Sequence, residues 1–481
     1  MAAMTNSGAT GDSVDLSDVQ GNILRGYRKA MVRHLVVQIT DATRARAWIG
    51  ATAGPDRSAA PAITDAAPWG ERPPEVCFNL GITYAGMQAL DVPEATSNSF
   101  PEAFREGMAA RASKIGDWGD SALAQWQAWY RDSDVVHLIL SLHSNSAGLL
   151  EEFESTMMAG PAGRAFKIRG RNDGMVYNGD EVHFGYRDNI SQPRFANISP
   201  PDKYDDQPTA PVGTVLLGYP TALEQLRWSL PDPSVFGVNG AFNAFRVLEQ
   251  DVVGFQQYLD RAAKELIDNP LADELLPIAI GTGEAGRSAR LAALREVVAA
   301  KLMGRWRNGT PLALSPREPA PNPPVSDTAY DYADDAGGLR CPLGSHTRRA
   351  NPRSAKIVQR VANHTRRLVR RGIPYGPRFD PAHPDDAERG LLGNFICADL
   401  AAQFEAIQYD WINLGLQDPR ITGSNDPLLG ANQQDASWFD IVTARGTVRL
   451  RGFRRFVRTR GGAYTFLPSI SALRWMGTMG G

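Results

Sequence analysis

Two stretches of the chain carry the same signals in the same order, and this repetition constrains the fold more than any other feature. In the first, the β-branched run His34-Leu35-Val36-Val37-Gln38-Ile39-Thr40 predicts a strand, and Asp41 then offers a cap for a helix over Ala42–Ile49. In the second, Ala241–Leu248 predicts a strand and Asp251–Leu266 a helix with Val252, Phe255, Tyr258 and Leu259 on one side. An internal duplication is therefore expected. Length agrees, because 481 residues exceed what a single hydrophobic core normally serves.

Further strands are predicted at Val76–Thr83, Val135–Leu142 and Thr214–Gly218, and further helices at Ala85–Leu90 and Ala147–Met158. Residues 51–74 and Ser315–Leu339 read as loops, and the polar, proline-rich Pro200–Pro211 marks a boundary. The expected division is a disordered N-terminus (1–14), an N-terminal domain (15–205) and a C-terminal domain (206–481). Strand–helix units with antiparallel returns predict an α+β architecture.

Charge and cysteine content exclude several classes. Lys+Arg 51 against Asp+Glu 53 gives a formal net charge of −2, which favours neither nucleic acid nor an anionic membrane. The basic cluster Arg366–Arg371 has no interleaved aromatic platform and reads as a solvated helix face, stopped by Gly372 and Pro374. Cys77, Cys341 and Cys397 are widely spaced with no CxxC pair, so neither a zinc site nor a disulfide framework is expected. No strand is followed by GxGxxG, which removes the usual sign of hydride chemistry. The first residues lack a basic-then-apolar leader and no apolar run approaches a bilayer span, so a cytoplasmic location is expected.

Three polar segments stand out. The chain has only 7 His, and one, His346, lies among arginines in Cys341-Pro342-Leu343-Gly344-Ser345-His346-Thr347-Arg348-Arg349-Ala350-Asn351-Pro352-Arg353. An imidazole can bind iron through one nitrogen and donate from the other, while nearby guanidiniums can fix the carboxylates of an anion such as haem. The second segment is Glu181-Val182-His183-Phe184-Gly185-Tyr186-Arg187-Asp188-Asn189-Ile190-Ser191-Gln192-Pro193, and the third is Arg366-Arg367-Leu368-Val369-Arg370-Arg371-Gly372-Ile373-Pro374-Tyr375-Gly376. Taken alone, the second is a turn and the third a basic helix end.

In this order, with Gly304–Leu312, Gln403–Gln408 and Arg460–Pro468, the segments resemble the dye-decolorising peroxidase family of haem proteins over roughly Val19 to Leu473. The resemblance implies two ferredoxin-like halves of the dimeric α+β barrel type, antiparallel sheets with peripheral helices. It also implies one haem b per chain, held between the C-terminal sheet and its helices. His346 would be the proximal iron ligand, Asp188 the distal acid/base and Arg370 the distal charge stabiliser. Arg370 is chosen over Arg367 and Arg371 because it lies four residues before Pro374. Arg353 is a candidate for a haem propionate and Phe395 for the distal lining. The implied activity oxidises organic donors, small aromatic dyes or phenols, with hydrogen peroxide through a ferryl intermediate. No nucleic acid or membrane partner is expected, and a homo-oligomer is allowed.

The chemistry suits these residue types. Asp188 can take a proton from peroxide and return it to the leaving oxygen, and Arg370 can stabilise the developing anion. A carboxylate with an ordinary pKa near 4 makes an acidic optimum the expectation. Asn189 replaces the second glycine of the family's Gly-x-x-Asp-Gly element. Asparagine tolerates a positive φ better than other non-glycine residues, so Asp188 is expected to keep its place. Should the turn redirect Asp188, a haem-handling protein with weak or no peroxidase activity is the alternative. Trp411 and Tyr375 are candidates for electron relays. His34, His137, His143, His183, His364 and His383 are expected to be structural.

Overall fold

The structure is a computed structural model that describes residues 4–5, 13–55, 60–160, 162–196, 198, 209–223, 226–277, 280, 284–321, 328–353, 355 and 366–479. Most of the β-branched and aromatic runs pair as expected. Eight strands form one antiparallel sheet: β1 (Met31–Ile39), β2 (Val76–Ile82), β3 (Leu138–Ser144), β4 (Phe166–Met175), β5 (Ala241–Gln250), β6 (Val369–Tyr375), β7 (Gly390–Cys397) and β8 (Val457–Leu467). Their order is β6-β7-β5-β8-β2-β3-β1-β4. Within each half the fourth strand pairs with the first, the first with the third and the third with the second. Each half is thus ferredoxin-like, and the two repeated strand–helix stretches open the two halves.

The halves join where Phe466 of β8 pairs with Ile82 of β2. The outer edges also approach each other. A Cβ on Gly174 of β4 would lie 2.6 Å from Ile373 Cγ2 of β6, so only glycine lets these edges close. The Tyr177 hydroxyl donates to the Gly376 carbonyl at 2.5 Å across the same seam. The sheet curls into an α+β barrel whose interior holds His34 and Phe245, with ring centroids 4.8 Å apart.

Helices cover the outside. Asp41 caps α1 (Ala42–Thr52) by accepting from Arg44 N, and Ser146 caps α2 (Ala147–Ala159) through Leu149 N. In the second half Asp251 caps α3 (Val252–Leu266), which buries Val252, Phe255, Tyr258 and Leu259 as the spacing predicts. They pack with Leu294, Val297 and Val298 of α4 (Glu284–Met303). The short α5 (His346–Ala350) and the π-type α6 (Leu400–Asn413) complete the layer around the site.

Three expectations are corrected. The predicted Val135–Leu142 strand starts only at Leu138, because Ser133–Val135 form a 3₁₀ turn capped by Asp132. Thr214–Gly218 is a turn, not a strand. Gly213 brings its backbone so close to the Tyr219 and Pro220 carbonyls that a Cβ would sit 2.3 and 2.2 Å from them. Val215, Leu216 and Leu217 are buried in this turn, so the apolar run reports core without pairing. The Arg366–Arg371 segment is not a helix, since Val369 opens β6 and pairs with Ile396. The expected N-terminal disorder and the boundary at 205/206 fall mainly outside the described residues, as does His364. Among the described residues no helix is long and apolar enough to cross a membrane.

Candidate active site

A cavity of about 330 Å³ lies between the C-terminal sheet and its helices. Strand register builds its floor: Arg370 is paired with Phe395, Leu391 with Leu248, and Val457 with Gln250, and all six side chains line it. Phe404, Ile407 and Trp411 of α6 close another wall. His346, Asp188, Arg370, Arg353 and Phe395, chosen from sequence, all line this one cavity.

His346 is the first residue of α5, and its Nδ1 lies 3.0 Å from Asp426 Oδ2. This carboxylate is the partner the sequence did not name. It is fully buried, and its other oxygen accepts from Leu428 N and Leu429 N at 2.9 and 2.8 Å. Burial pushes the Asp426 carboxyl up, but the charge and hydrogen bond of His346, the Arg349 cation and the Leu429 N–H outweigh it. The group is held below the usual carboxylate range. Asp426 fixes the ring through Nδ1 and leaves Nε2 as the nitrogen that could bind a metal.

The segment carrying His346 is pinned from several sides. Gly304, at φ +90°, ends α4 where a Cβ would lie 2.1 Å from Thr347 Oγ1. Ser345 Oγ donates to the Lys301 carbonyl at 2.7 Å. Arg348 donates to Asp335 Oδ2 and to the Cys341 carbonyl at 3.0 and 2.7 Å, and its guanidinium lies 4.3 Å from the Tyr332 ring centroid. Arg349 donates to the carbonyls of Gly344, Trp411 and Ser424. These two arginines are therefore internal anchors of the segment, and neither lines the cavity.

Asp188 and Arg370 form the second polar pair. Asp188 Oδ1 lies 3.9 Å from an Arg370 terminal nitrogen, with the two side chains 33% and 50% exposed, so both are open to a ligand in the cavity. Asn189 adopts φ +57°, and its amide donates to Asp180 Oδ1 at 3.3 Å. Asparagine thus occupies the left-handed conformation expected of glycine, and Asp188 N still donates to the Asp180 carbonyl at 2.8 Å. Arg371 sits on the other face of β6, donating to the Asn22 and Ile23 carbonyls and to Gln192 Oε1. Strand alternation, not helical spacing, separates it from Arg370.

The residues present suit a haem. Arg353, Arg366 and Arg367 line the cavity with Arg370, whereas Asp188 is the lone carboxylate in its lining among the described residues. Arg366 pairs with Asp410 at 3.3 Å and lies 5.1 Å from the Trp411 ring centroid, and its buried Nε has no partner among the described residues. Thr328 Oγ1 and Gln250 Oε1 are likewise buried in the lining without partners among the described residues. Burial and the neighbouring Arg353 charge both push the Arg367 guanidinium down, a strain that an anion would relieve. Arg353 donates to the Thr328 and Tyr330 carbonyls, both at 2.8 Å, which orients it at the rim. The set offers an imidazole that could bind iron, several cations that could face two carboxylates, and apolar walls.

The other candidates have structural partners. His183 Nε2 contacts the Tyr375 carbonyl at 2.8 Å and His34 Nδ1 contacts Ser141 Oγ at 2.9 Å. His137 Nδ1 accepts from Ile39 N at 3.0 Å. Trp411 is buried against the cavity, whereas the Tyr375 hydroxyl bonds to Glu388 Oε1 at 3.2 Å.

Comparison with known proteins agrees with this construction. The family model described as the DyP dimeric alpha+beta barrel domain matches residues 18–171. Dye-decolorizing peroxidase msp1 of Mycetinis scorodonius is 26% identical, covering 98% of this chain and 90% of the relative. Multifunctional dye peroxidase DyP2 of an Amycolatopsis species is 29% identical, covering 97% of each. A solved dye-decolorizing peroxidase in complex with 2,6-dimethoxyphenol superposes with a TM-score of 0.78 at 26% identity, covering 97% of this chain and all of that one. A fungal DyP-type peroxidase from Auricularia auricula-judae shares the fold, with a TM-score of 0.79 at 24% identity and 98% of this chain covered. Its fold, its cavity and its relatives, matched over nearly the whole chain, together support a DyP-type peroxidase.

Proposed function

We propose that the protein is a haem b peroxidase that oxidises small organic donors, aromatic dyes and phenols, with hydrogen peroxide. One observation carries this reading: a single cavity gathers a carboxylate-bound histidine, an exposed Asp–Arg pair and a surplus of arginine. A bound haem would supply the iron at which peroxide is cleaved and the oxidising equivalents passed to the donor. His346 would hold it through Nε2, with Asp426 fixing the ring, while Arg353, Arg366 and Arg367 would meet its carboxylates and Phe395 would supply an apolar contact.

The chain's own groups then manage the proton and the charge. Asp188, as carboxylate, accepts a proton from the bound peroxide and returns it to the departing oxygen. Arg370, a permanent cation 3.9 Å from that carboxylate, stabilises the anionic oxygen while the proton is in transit. The haem-handling alternative rested on Asn189 displacing Asp188. The positive φ of Asn189, with Asp188 in the cavity lining, counts against it.

The ligand assignment is tested by the optical spectrum of His346→Ala. Loss of haem, or of the histidine-ligated ferric spectrum, is expected. An unchanged ferric spectrum would show that another residue binds the iron.

A further inference from the structure

Arg349 lies three residues after His346 on α5 and is 1% exposed, yet it has no carboxylate partner among the described residues. Its guanidinium is spent on neutral acceptors. Nε donates to the Gly344 carbonyl at 2.9 Å, and one terminal nitrogen donates to the Trp411 and Ser424 carbonyls at 3.0 and 3.1 Å. The other terminal nitrogen donates to Ser424 Oγ. The backbone makes room for this fork, since a Cβ on Gly415 would lie 3.1 Å from an Arg349 nitrogen. One side chain thus ties together the turn before His346, the end of α6 and the loop that two residues later presents Asp426.

A buried cation without an ion pair is costly to keep. A structural tie to carbonyls needs donors, and neutral donors would serve. What a guanidinium adds is charge, and the buried anion that this charge acts on is the Asp426 carboxylate, which itself accepts from His346 and two backbone N–H groups. The charge on Asp426 sets how strongly the His346 ring is drawn toward imidazolate character. Taking the axial role of His346 as proposed above, we propose that Arg349 is a positioning residue that tunes the metal through Asp426. Its fork seats the Ser424–Asp426 loop, and its charge offsets the carboxylate and so moderates the electron donation of His346 to iron. The neighbouring Arg348 has no such part, because its charge is neutralised by Asp335 at 3.0 Å.

The test is the ferric/ferrous midpoint potential of the haem-loaded protein, measured by spectroelectrochemistry in a double-mutant cycle. Arg349→Met is expected to shift the potential downward, since an unopposed Asp426 makes the axial ligand more electron-rich. Arg349→Lys, which keeps the charge but not the fork, should recover most of that shift and guards against a folding defect in the first variant. In an Asp426→Asn background, Arg349→Met should produce a much smaller shift. An unmoved potential in Arg349→Met, or equal shifts in both backgrounds, would overturn the proposal. The wild-type spectrum separates this from failure of the axial assignment. If it is not that of a histidine-ligated haem, the reading of His346 falls; if it is, and the potential does not move, only the role of Arg349 falls.

Discussion

Removing one buried carboxylate that lies outside the cavity lining should loosen the joint between the two halves. Arg246 of β5 and Asp117, from the segment between β2 and β3, are 2% and 5% exposed and pair bidentately at 2.6 and 2.8 Å across the two halves. Thr459 Oγ1 closes the triangle, accepting from Arg246 at 2.7 Å and donating to Asp117 at 2.5 Å. The Arg246 guanidinium also lies 6.0 Å from the ring centroid of Phe404, which lines the cavity. Asp117→Ala strands a buried cation, and losing one partner of a buried pair costs about 3–5 kcal/mol. At about 2.1 cal/mol/K per residue, the 481-residue chain has an unfolding entropy of about 1 kcal/mol/K. Calorimetry should therefore show a Tm about 3–5 °C below wild type. The double variant Asp117→Ala/Arg246→Met removes the orphaned charge as well and should regain more than half of the loss. A single variant that melts with wild type, or a double variant as low as the single, would show that the Arg246 charge does not depend on Asp117.

Asp188→Asn should keep haem and slow the bimolecular reaction with peroxide by about 10²–10⁴-fold, the usual worth of a general acid/base. Arg370→Leu should slow it by about 10²–10³-fold for loss of the oxyanion partner; stopped-flow mixing at the Soret band reads both. Asn189→Gly should leave that rate within about twofold of wild type, because glycine adopts the same φ freely. Asn189→Val forces a β-branched residue to a positive φ and should lower both the rate and the melting temperature. His143 supplies a pH prediction, since burial first and the Arg371 charge second push its imidazole down to about 4. The unfolded chain, with a histidine pKa near 6.5, binds this proton earlier than the folded one. The His143 contribution is therefore intact above about pH 6.5 and is lost as pH falls toward 4. Urea midpoints across that window should fall less for His143→Gln than for wild type, and equal falls would show that His143 is not the group responsible.

The repeated strand–helix signals were legible because β-branched runs and an Asp cap mark both β1–α1 and β5–α3 locally. His346, Asp188 and Arg370 were legible because scarce or dense polar residues stood in a recognisable order. Asp426 was not. It lies 80 residues from His346, in Ser424-Asn425-Asp426-Pro427, where its bonds to Leu428 N and Leu429 N make it look like a turn former. Only the folded loop brings it to the imidazole. The arginines misled for a related reason. Arg348 and Arg349 share composition with Arg353, yet they point into the protein while Arg353 faces the cavity, and charge density carries no direction. Similarly, the run of arginines in 366–371 hid the alternation of Val369 and Ile373 that makes this segment a strand. Thr214–Gly218 failed because burial of an apolar run does not require a pairing partner.

The most direct test of the central claim is to mix the haem-loaded protein with hydrogen peroxide and follow the Soret band. A rapid shift to the spectrum of the oxidised enzyme is expected, with a return to the resting spectrum when a phenol or dye is added. A Soret band that stays in place, or that only bleaches, would mean that haem binds but peroxide is not productively split. It would contradict the role given to Asp188 and Arg370.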